Sequence, residues 1–178
     1  MSNNTFKSKL EPALLYGAIV GGVSIVHSIV LFAMDASFSV FSQFSGIIVP
    51  FAILTYVLYL YRKEQMGGAM TYSQSFGMGA LIIVVAGIIG AIYTYIHIEY
   101  IDTEFINTMV RMQEEKMLES GMDEAAIEQA LEFSSKMRGT GFMVGSALIG
   151  SIFMGVIFSA IISIFLKKEP KDPFASVQ

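Results

Sequence analysis

The 178-residue chain contains no cysteine and only four prolines, and charged residues make up just 15% of it. The lack of cysteine excludes disulfide bonds, thiolate catalysis and cysteine-ligated metals. The charged fraction lies below the ~25% of a typical soluble domain. A net charge of −4 without any basic cluster argues against nucleic-acid binding.

Charge is absent from four long stretches, which are 23, 26, 34 and 28 residues long: 12–34, 36–61, 65–98 and 139–166. A helix needs roughly 20 mostly apolar residues to cross a bilayer, and a soluble helix needs a polar face, which these stretches lack. We therefore predict an all-α polytopic membrane protein. Its single domain, 1–168, has transmembrane helices at about 13–34, 38–61, 72–98 and 139–166, and a short polar tail, 169–178, follows it.

The prolines and glycines refine these helices. Pro12 suits the first turn of a helix, where its missing N–H costs nothing, so we expect the first helix to begin there. Pro50 falls inside the second helix and predicts a kink, because it removes one backbone hydrogen bond. Gly67 and Gly68 predict a tight turn before the third helix, which Thr71 is placed to cap.

The distribution of Lys and Arg predicts the orientation. Seven of the eleven basic residues lie near the helix ends on one side of the predicted membrane: Lys7, Lys9, Arg62, Lys63, Lys167, Lys168 and Lys171. The positive-inside rule then places both termini in the cytoplasm and the segment 99–138 outside. We expect the membrane to be a bacterial inner membrane.

The segment 99–138 is the one substantial polar region, with ten acidic and four basic residues. Apolar residues recur at helical spacing on both sides of Ser120-Gly121, which predicts an αα-hairpin whose first helix continues directly from the third transmembrane helix. We expect Asp123 to cap the second helix of the hairpin. The hairpin is either a structural cap or a docking surface for a partner protein or for cations.

Small residues recur four apart in three of the four transmembrane helices. Small-xxx-small patterns let helix backbones approach closely in a membrane. We therefore predict that the first, third and fourth transmembrane helices form the tight core, either within one chain or partly through a homo-oligomer. The predicted packing positions are Gly17, Gly21, Gly87, Gly90, Gly145, Ser151, Gly155 and Ser159.

Three titratable residues are candidates for a functional role. His27 lies inside an apolar stretch, and an ionisable residue there is a functional hypothesis by default. His97 and Glu99 lie at the predicted outer end of the third helix, but two residues apart they do not share a helix face. The alternative is structural: His27 bonds a neighbouring helix, and His97 lies at the interface. We find no catalytic motif, and we predict no catalytic, cofactor-binding or metal-binding residue.

The residues Gly67-Gly68-Ala69-Met70-Thr71-Tyr72-Ser73-Gln74-Ser75-Phe76 carry a family resemblance. With the helix order, the acidic insert beginning near Ile101 and the Lys167-Lys168 ending, the chain resembles the small four-helix membrane proteins of Bacteroidetes-type bacteria known as a domain of unknown function. The resemblance covers about 14–168 and implies a topology but no biochemistry. Family members often have a lysine at the position of Gln74, so no role of that lysine transfers to this chain.

Two functions fit these observations. The first is a non-enzymatic scaffold or accessory membrane protein that acts through a protein partner at the acidic hairpin. The second is a small oligomeric transporter or channel for protons, ions or small solutes, with Pro50 and His27 as its sequence hints. A dry, tightly packed membrane interior would favour the first, and polar residues around a shared cavity would favour the second.

Overall fold

A computed structural model describes residues 2–135 and 137–168, without the side chains of residues 2–8. The predicted tail 169–178 lies outside this range. The described residues form six α-helices and one π-helical turn. They are α1 (Ser2–Ala33), α2 (Val40–Glu64), α3 (Tyr72–Ile96), the π-helical turn (His97–Ile101), α4 (Phe105–Glu119), α5 (Glu124–Ser135) and α6 (Thr140–Leu166). The predicted all-α fold is confirmed.

Four helical stretches are long and apolar enough to cross a membrane: Lys9–Ala33, Val40–Glu64, Tyr72–Ile101 and Thr140–Leu166. Only 22–33% of the residues in their most apolar windows are buried inside the protein. The remaining faces carry large apolar side chains such as Phe44, Ile149 and Phe165. Such faces suit lipid rather than water, and the four helices therefore indicate a membrane protein.

The first helix begins earlier than predicted. α1 starts at Ser2, so Pro12 lies inside the helix and does not open it. A proline inside a helix removes one backbone hydrogen bond at a cost of about 3 kcal/mol. The helical backbone continues through this position, and the placement of the first turn at Pro12 was wrong.

The ends of α2 and α3 follow the local sequence. Ser39 caps α2, and its Oγ accepts the Ser42 N–H at 3.1 Å. Gly67 and Gly68 adopt φ of 61° and 87°, as the predicted tight turn requires. The Thr71 Oγ1 accepts the Gln74 N–H at 3.3 Å, while the Gln74 side chain accepts the Thr71 N–H at 2.9 Å. This reciprocal pair is a capping box, and it confirms Thr71 as the cap.

The passage from α3 into the hairpin differs from the prediction. The helix passes into the π-helical turn, where the Asp102 N–H donates to the His97 carbonyl at 2.7 Å, and it then breaks before α4. Asp102 leaves the helical region with φ −121° and ψ 75°. Asp and Thr compete with the helix backbone for hydrogen bonds, which accounts for an interruption at Asp102-Thr103. The uninterrupted continuation was therefore wrong.

The chain divides into two compact units. The first contains the described residues up to Ile89 and from Gly150 onward, and the second contains 90–149. In the first unit, the buried core combines residues of all four apolar helices, including Tyr16, Leu58, Ile82 and Ile162. In the second unit, α4 and α5 lie in contact as the predicted hairpin, and Gly121 makes the turn between them with φ 76°.

α2 contributes more to the core than its sequence suggested. Leu54, Val57, Leu58 and Tyr61 are all buried in the core cluster of the first unit. We expected the first, third and fourth transmembrane helices to form the tight core, because only they carry small-residue patterns. α2 packs through large side chains instead, so the core contains all four helices.

Candidate functional site

The packing positions in the first unit lie at close helix contacts. A Cβ atom on Gly17 would lie 2.5 Å from the Cβ of Val85, and one on Gly21 would lie 3.1 Å from the Cγ2 of Ile89. A Cβ atom on Gly155 would lie 2.7 Å from the Cγ1 of Ile83. Real Cβ atoms essentially never come closer than 3.0 Å. α1 and α6 therefore both approach α3 at glycines, as the small-residue patterns predicted.

The other packing positions differ in their surroundings. Gly87 is buried in α3. Ser151 is exposed, and a Cβ on Gly90 or Gly145 would meet nothing within 4 Å. Among the predicted packing positions of α6, the buried ones are therefore Gly155 and Ser159.

A chain of buried hydroxyls joins α3 to α6. The Ser163 Oγ donates to the Ser159 carbonyl at 2.6 Å and lies 2.9 Å from the Ser75 Oγ. The Ser159 Oγ donates to the Phe76 carbonyl at 3.1 Å, beside Gly79. All three serines are fully buried, so each hydroxyl must bond inside the protein. Sequence reasoning singled out Ser159 as a packing position, but it gave no role to Ser75.

A second set of polar contacts fastens the end of α6, and we call it the end clasp: Arg62, Met70, Leu166 and Lys168. The Arg62 Nη1 donates to the Leu166 carbonyl at 2.9 Å. Met70 and Lys168 exchange two backbone hydrogen bonds of 2.8 Å each. Sequence reasoning did not predict the end clasp, because every residue has a backbone carbonyl and residue type does not show which one an arginine will bond.

The titratable candidates fall in different units. His27 belongs to the first unit, and His97 and Glu99 to the second. The His97 ring is 7% exposed, its Nδ1 lies 3.1 Å from the Tyr93 hydroxyl, and Phe105 packs edge-on against it. Glu99 is exposed, which agrees with the expectation that it does not share a face with His97. Within 2–135 and 137–168, no three His, Asp or Glu side chains come together to hold a metal.

His27 has a different environment. Its Nε2 atom is buried, and it has no hydrogen-bond partner among the described residues. The predicted structural role, a bond from a neutral His27 to a neighbouring helix, is therefore not seen at this atom. A buried polar atom without a partner costs free energy, of the order of 1–3 kcal/mol.

The hairpin carries a groove between α4 and α5, which we call the hairpin groove. Leu118, Ile127 and Leu131 line it as apolar residues. Four glutamates also line it: Glu114, Glu124, Glu128 and Glu132. The groove is thus apolar in part, with carboxylates beside its apolar residues.

α5 carries an acidic stripe, and no basic residue of the same helix accompanies it. Glu124, Glu128 and Glu132 are exposed and lie four residues apart, and the helix contains no Lys or Arg. Like charges at this spacing destabilise a helix by about 0.2–0.5 kcal/mol per pair. Arg138 also lines the groove, but its Nη2 donates to the Leu131 carbonyl at 3.0 Å and to the Ser134 Oγ at 2.8 Å. Its guanidinium is therefore engaged with the C-terminal end of α5.

The four long apolar helices indicate a polytopic helical membrane protein, which also has a buried hydroxyl chain and an acidic helical hairpin. The chain belongs to the family described as "Protein of unknown function (DUF4199)", whose model matches residues 15–168. The resemblance to a family of unknown function is thereby confirmed. Comparison with curated proteins and with solved structures gave no significant match.

The family motif before α3 contributes to structure. Gly67 and Gly68 make the turn, and Thr71 with Gln74 forms the capping box. The rings of Tyr72 and Phe76 stack, with centroids 6.1 Å apart. A glutamine side-chain oxygen accepts the Thr71 N–H, which a lysine at this position could not do.

Proposed function

We propose that this protein is a non-enzymatic scaffold or accessory subunit that acts by binding another protein through its hairpin. The observation that carries the proposal is the uncovered surface of the hairpin. Leu118 is 52% exposed and Phe133 64% exposed. Lipid accounts for exposed apolar residues on the four long helices, but the hairpin lies outside those helices and also carries the acidic stripe. A partner that covers both kinds of residue is the simplest reason for keeping them.

The interior of the first unit supports a static rather than a conducting role. Gly17, Gly79 and Gly155 each lie where an added Cβ would meet a neighbouring side chain closer than 3.0 Å. The buried serines bond to one another and to a backbone carbonyl. Polar groups that are already paired in a close-packed helix contact have little capacity left to bind a solute.

The placement in the cell is part of the same proposal. The protein lies in a bacterial inner membrane, with both termini in the cytoplasm and the hairpin outside. The support is the positive-inside rule applied to Lys9, Arg62, Lys63, Lys167 and Lys168. The partner is then met on the outer side, where the acidic residues of the hairpin lie.

Co-purification from native membranes tests the binding role. A C-terminally tagged protein in mild detergent is expected to bring down a stoichiometric partner. Replacing 105–138 by an unrelated helical hairpin of equal length, without the acidic stripe, should release the partner. The melting temperature of the four long helices, which we call the membrane domain, should stay within a few degrees of the wild-type value. A partner retained by the replaced hairpin, or a homo-oligomer without any partner, would contradict the proposal.

The second candidate function is transport, and the unpartnered Nε2 of His27 favours it. An intramembrane histidine whose Nε2 atom has no partner among the described residues is able to bond a proton, ion or solute through that atom. If the scaffold proposal holds, the wild type in liposomes should show no proton or metal flux above empty vesicles. His27→Leu should then fold normally, since it removes the buried polar atom. A flux in the wild type that His27→Leu abolishes, at unchanged melting temperature, would move the assignment to transport.

A further inference from the structure

The hairpin groove has a chemistry that selects one kind of occupant. Its apolar residues, Leu118, Ile127 and Leu131, come from both helices of the hairpin. Ile127 is buried, while Leu118 is more than half exposed. Leu131 is half-buried, so Leu118 contributes most of the apolar area that is open to a partner with apolar side chains of its own. A strongly hydrophilic ligand would leave it uncovered.

The carboxylates beside these residues restrict the partner further. Glu124, Glu128 and Glu132 follow the groove at intervals of one helical turn, and Glu114 lies on the α4 side. No basic residue within α5 offsets the repulsion among them, and Arg138 brings a single positive charge to a lining with four carboxylates. Positive charge from a partner, spaced at the same interval, would remove that repulsion. Charge complementarity across an interface sets partner choice and the rate of encounter.

Two helices in contact, with a groove between them, accept a third helix by the ordinary rules of helix packing. α5 has 12 residues, so at 1.5 Å per residue it spans about 18 Å, which matches about three turns of a partner helix. Lys or Arg residues four apart on such a helix would repeat at the interval of the three glutamates. An apolar stripe between the basic residues would then cover the apolar part of the groove.

A second copy of this chain does not fit as the occupant. The segment 99–138 has ten acidic and four basic residues, a net charge of −6. Placing two such hairpins together would add like charge to like charge, which costs free energy. An anionic membrane surface is disfavoured for the same reason.

We propose that the hairpin groove binds a cationic amphipathic helix of another protein, with an apolar stripe flanked by Lys or Arg four residues apart. This inference rests on the proposed function and specifies the chemistry of the partner. The apolar contact holds the helix in the groove, and the glutamates select its charge and steer its approach. Helix-in-groove recognition of this type reads anchors at i, i+4 and i+7.

A synthetic peptide tests the inference directly. The probe is a fluorescent 15-residue helix of Leu, Ala and Lys with one leucine stripe flanked by lysines. Its controls are a scrambled peptide of the same composition and a peptide with Glu in place of Lys. The full-length protein is held in nanodiscs of neutral phosphatidylcholine, and empty nanodiscs correct for binding to lipid. We expect saturable binding of the probe, with affinity at least about tenfold above both controls, the change that about 1.4 kcal/mol makes.

Matched variants separate the two parts of the groove. Glu124→Gln with Glu128→Gln should slow association and flatten the salt dependence of binding, because steering by charge is screened by salt. Leu118→Ser should mainly speed dissociation. Glu115→Gln with Glu119→Gln removes two exposed carboxylates of α4 that do not line the groove, and it should leave both rates unchanged.

Several outcomes would overturn the inference. The first is that the probe does not bind. The second is that the scrambled peptide binds as tightly as the probe. The third is that the control variant at Glu115 and Glu119 loses as much binding as the variant at Glu124 and Glu128. Dimerisation through the groove, detected as a doubled mass that Leu118→Ser abolishes, would also overturn it. If the peptide does not bind but a native partner still requires the hairpin, the hairpin is a binding surface and its partner is not a cationic helix. If the peptide binds as expected but no native partner is found, the groove does bind cationic helices and the proposed scaffold function is contradicted.

Discussion

Gly155→Leu is expected to destabilise the membrane domain by about 3 kcal/mol or more, at the upper end of what overpacking costs. Gly155 is buried where α6 meets α3, and even a Cβ atom would lie 2.7 Å from the Cγ1 of Ile83. A leucine adds three further carbon atoms at the same place. The helices must then separate, which also disturbs the hydroxyl chain through Ser159 and Ser163, one and two turns further along α6.

The control is Gly150→Leu, made in the same helix. Gly150 is exposed, and a Cβ there would meet nothing within 4 Å. Leucine is a better helix former than glycine, and its side chain is favourable in a lipid environment. This variant should therefore be neutral or slightly stabilising. Thermal unfolding in detergent, followed by circular dichroism and size-exclusion chromatography, measures both. Equal melting temperatures for the two variants would show that Gly155 does not lie at a close helix contact.

The contrast between Gly155 and Gly150 shows how far the sequence determines the fold. Charge-free stretches predicted four long helices because the cost of burying a charge in lipid is large and independent of context. Small residues four apart predicted the close contacts of Gly17, Gly21 and Gly155, because backbone approach depends on local side-chain size. The same patterns contain Gly145, where an added Cβ would meet nothing within 4 Å, and Ser151, which is exposed. A periodic pattern identifies a helix face, but not how far along that face the contact extends.

Other features depend on groups that the sequence does not place. The end clasp joins Met70 to Lys168 through backbone atoms, which every residue has. The π-helical turn at His97 depends on which carbonyl accepts the Asp102 N–H. The side-chain partner of Ser75, Ser163, lies 88 residues away, and a lone serine in an apolar helix gives no sign of it. The acidic stripe of α5 was visible in the sequence, whereas the groove beside it needed the packing of α4 against α5.

α2 presents the clearest discrepancy between sequence and structure. Leu58 is 0% exposed and belongs to the core cluster of the first unit. Its Cδ1 would lie 3.3 Å from a Cβ added at Gly79 of α3. α2 has no small-residue pattern, so its attachment to the other helices depends on large side chains of this kind. Removing one of them tests whether that attachment is energetically important.

Leu58→Ala should destabilise the membrane domain by about 2 kcal/mol, at the lower end of the 2–5 kcal/mol range for leucine-to-alanine changes in soluble cores. The soluble value has two parts, the transfer of the side chain from water and the cavity left behind. In a membrane the unfolded helix is also in lipid, so the transfer part is small and the lost packing contacts dominate.

Ile48→Ala is the matched control, since Ile48 is 62% exposed on the same helix. It should cost less than about 0.5 kcal/mol, as surface changes usually do. Reversible unfolding in mixed micelles measures both values. Equal effects would mean that α2 is joined to the domain by its connecting loops alone. A selective loss at Leu58 would show that a membrane helix without small residues is held by side-chain fit.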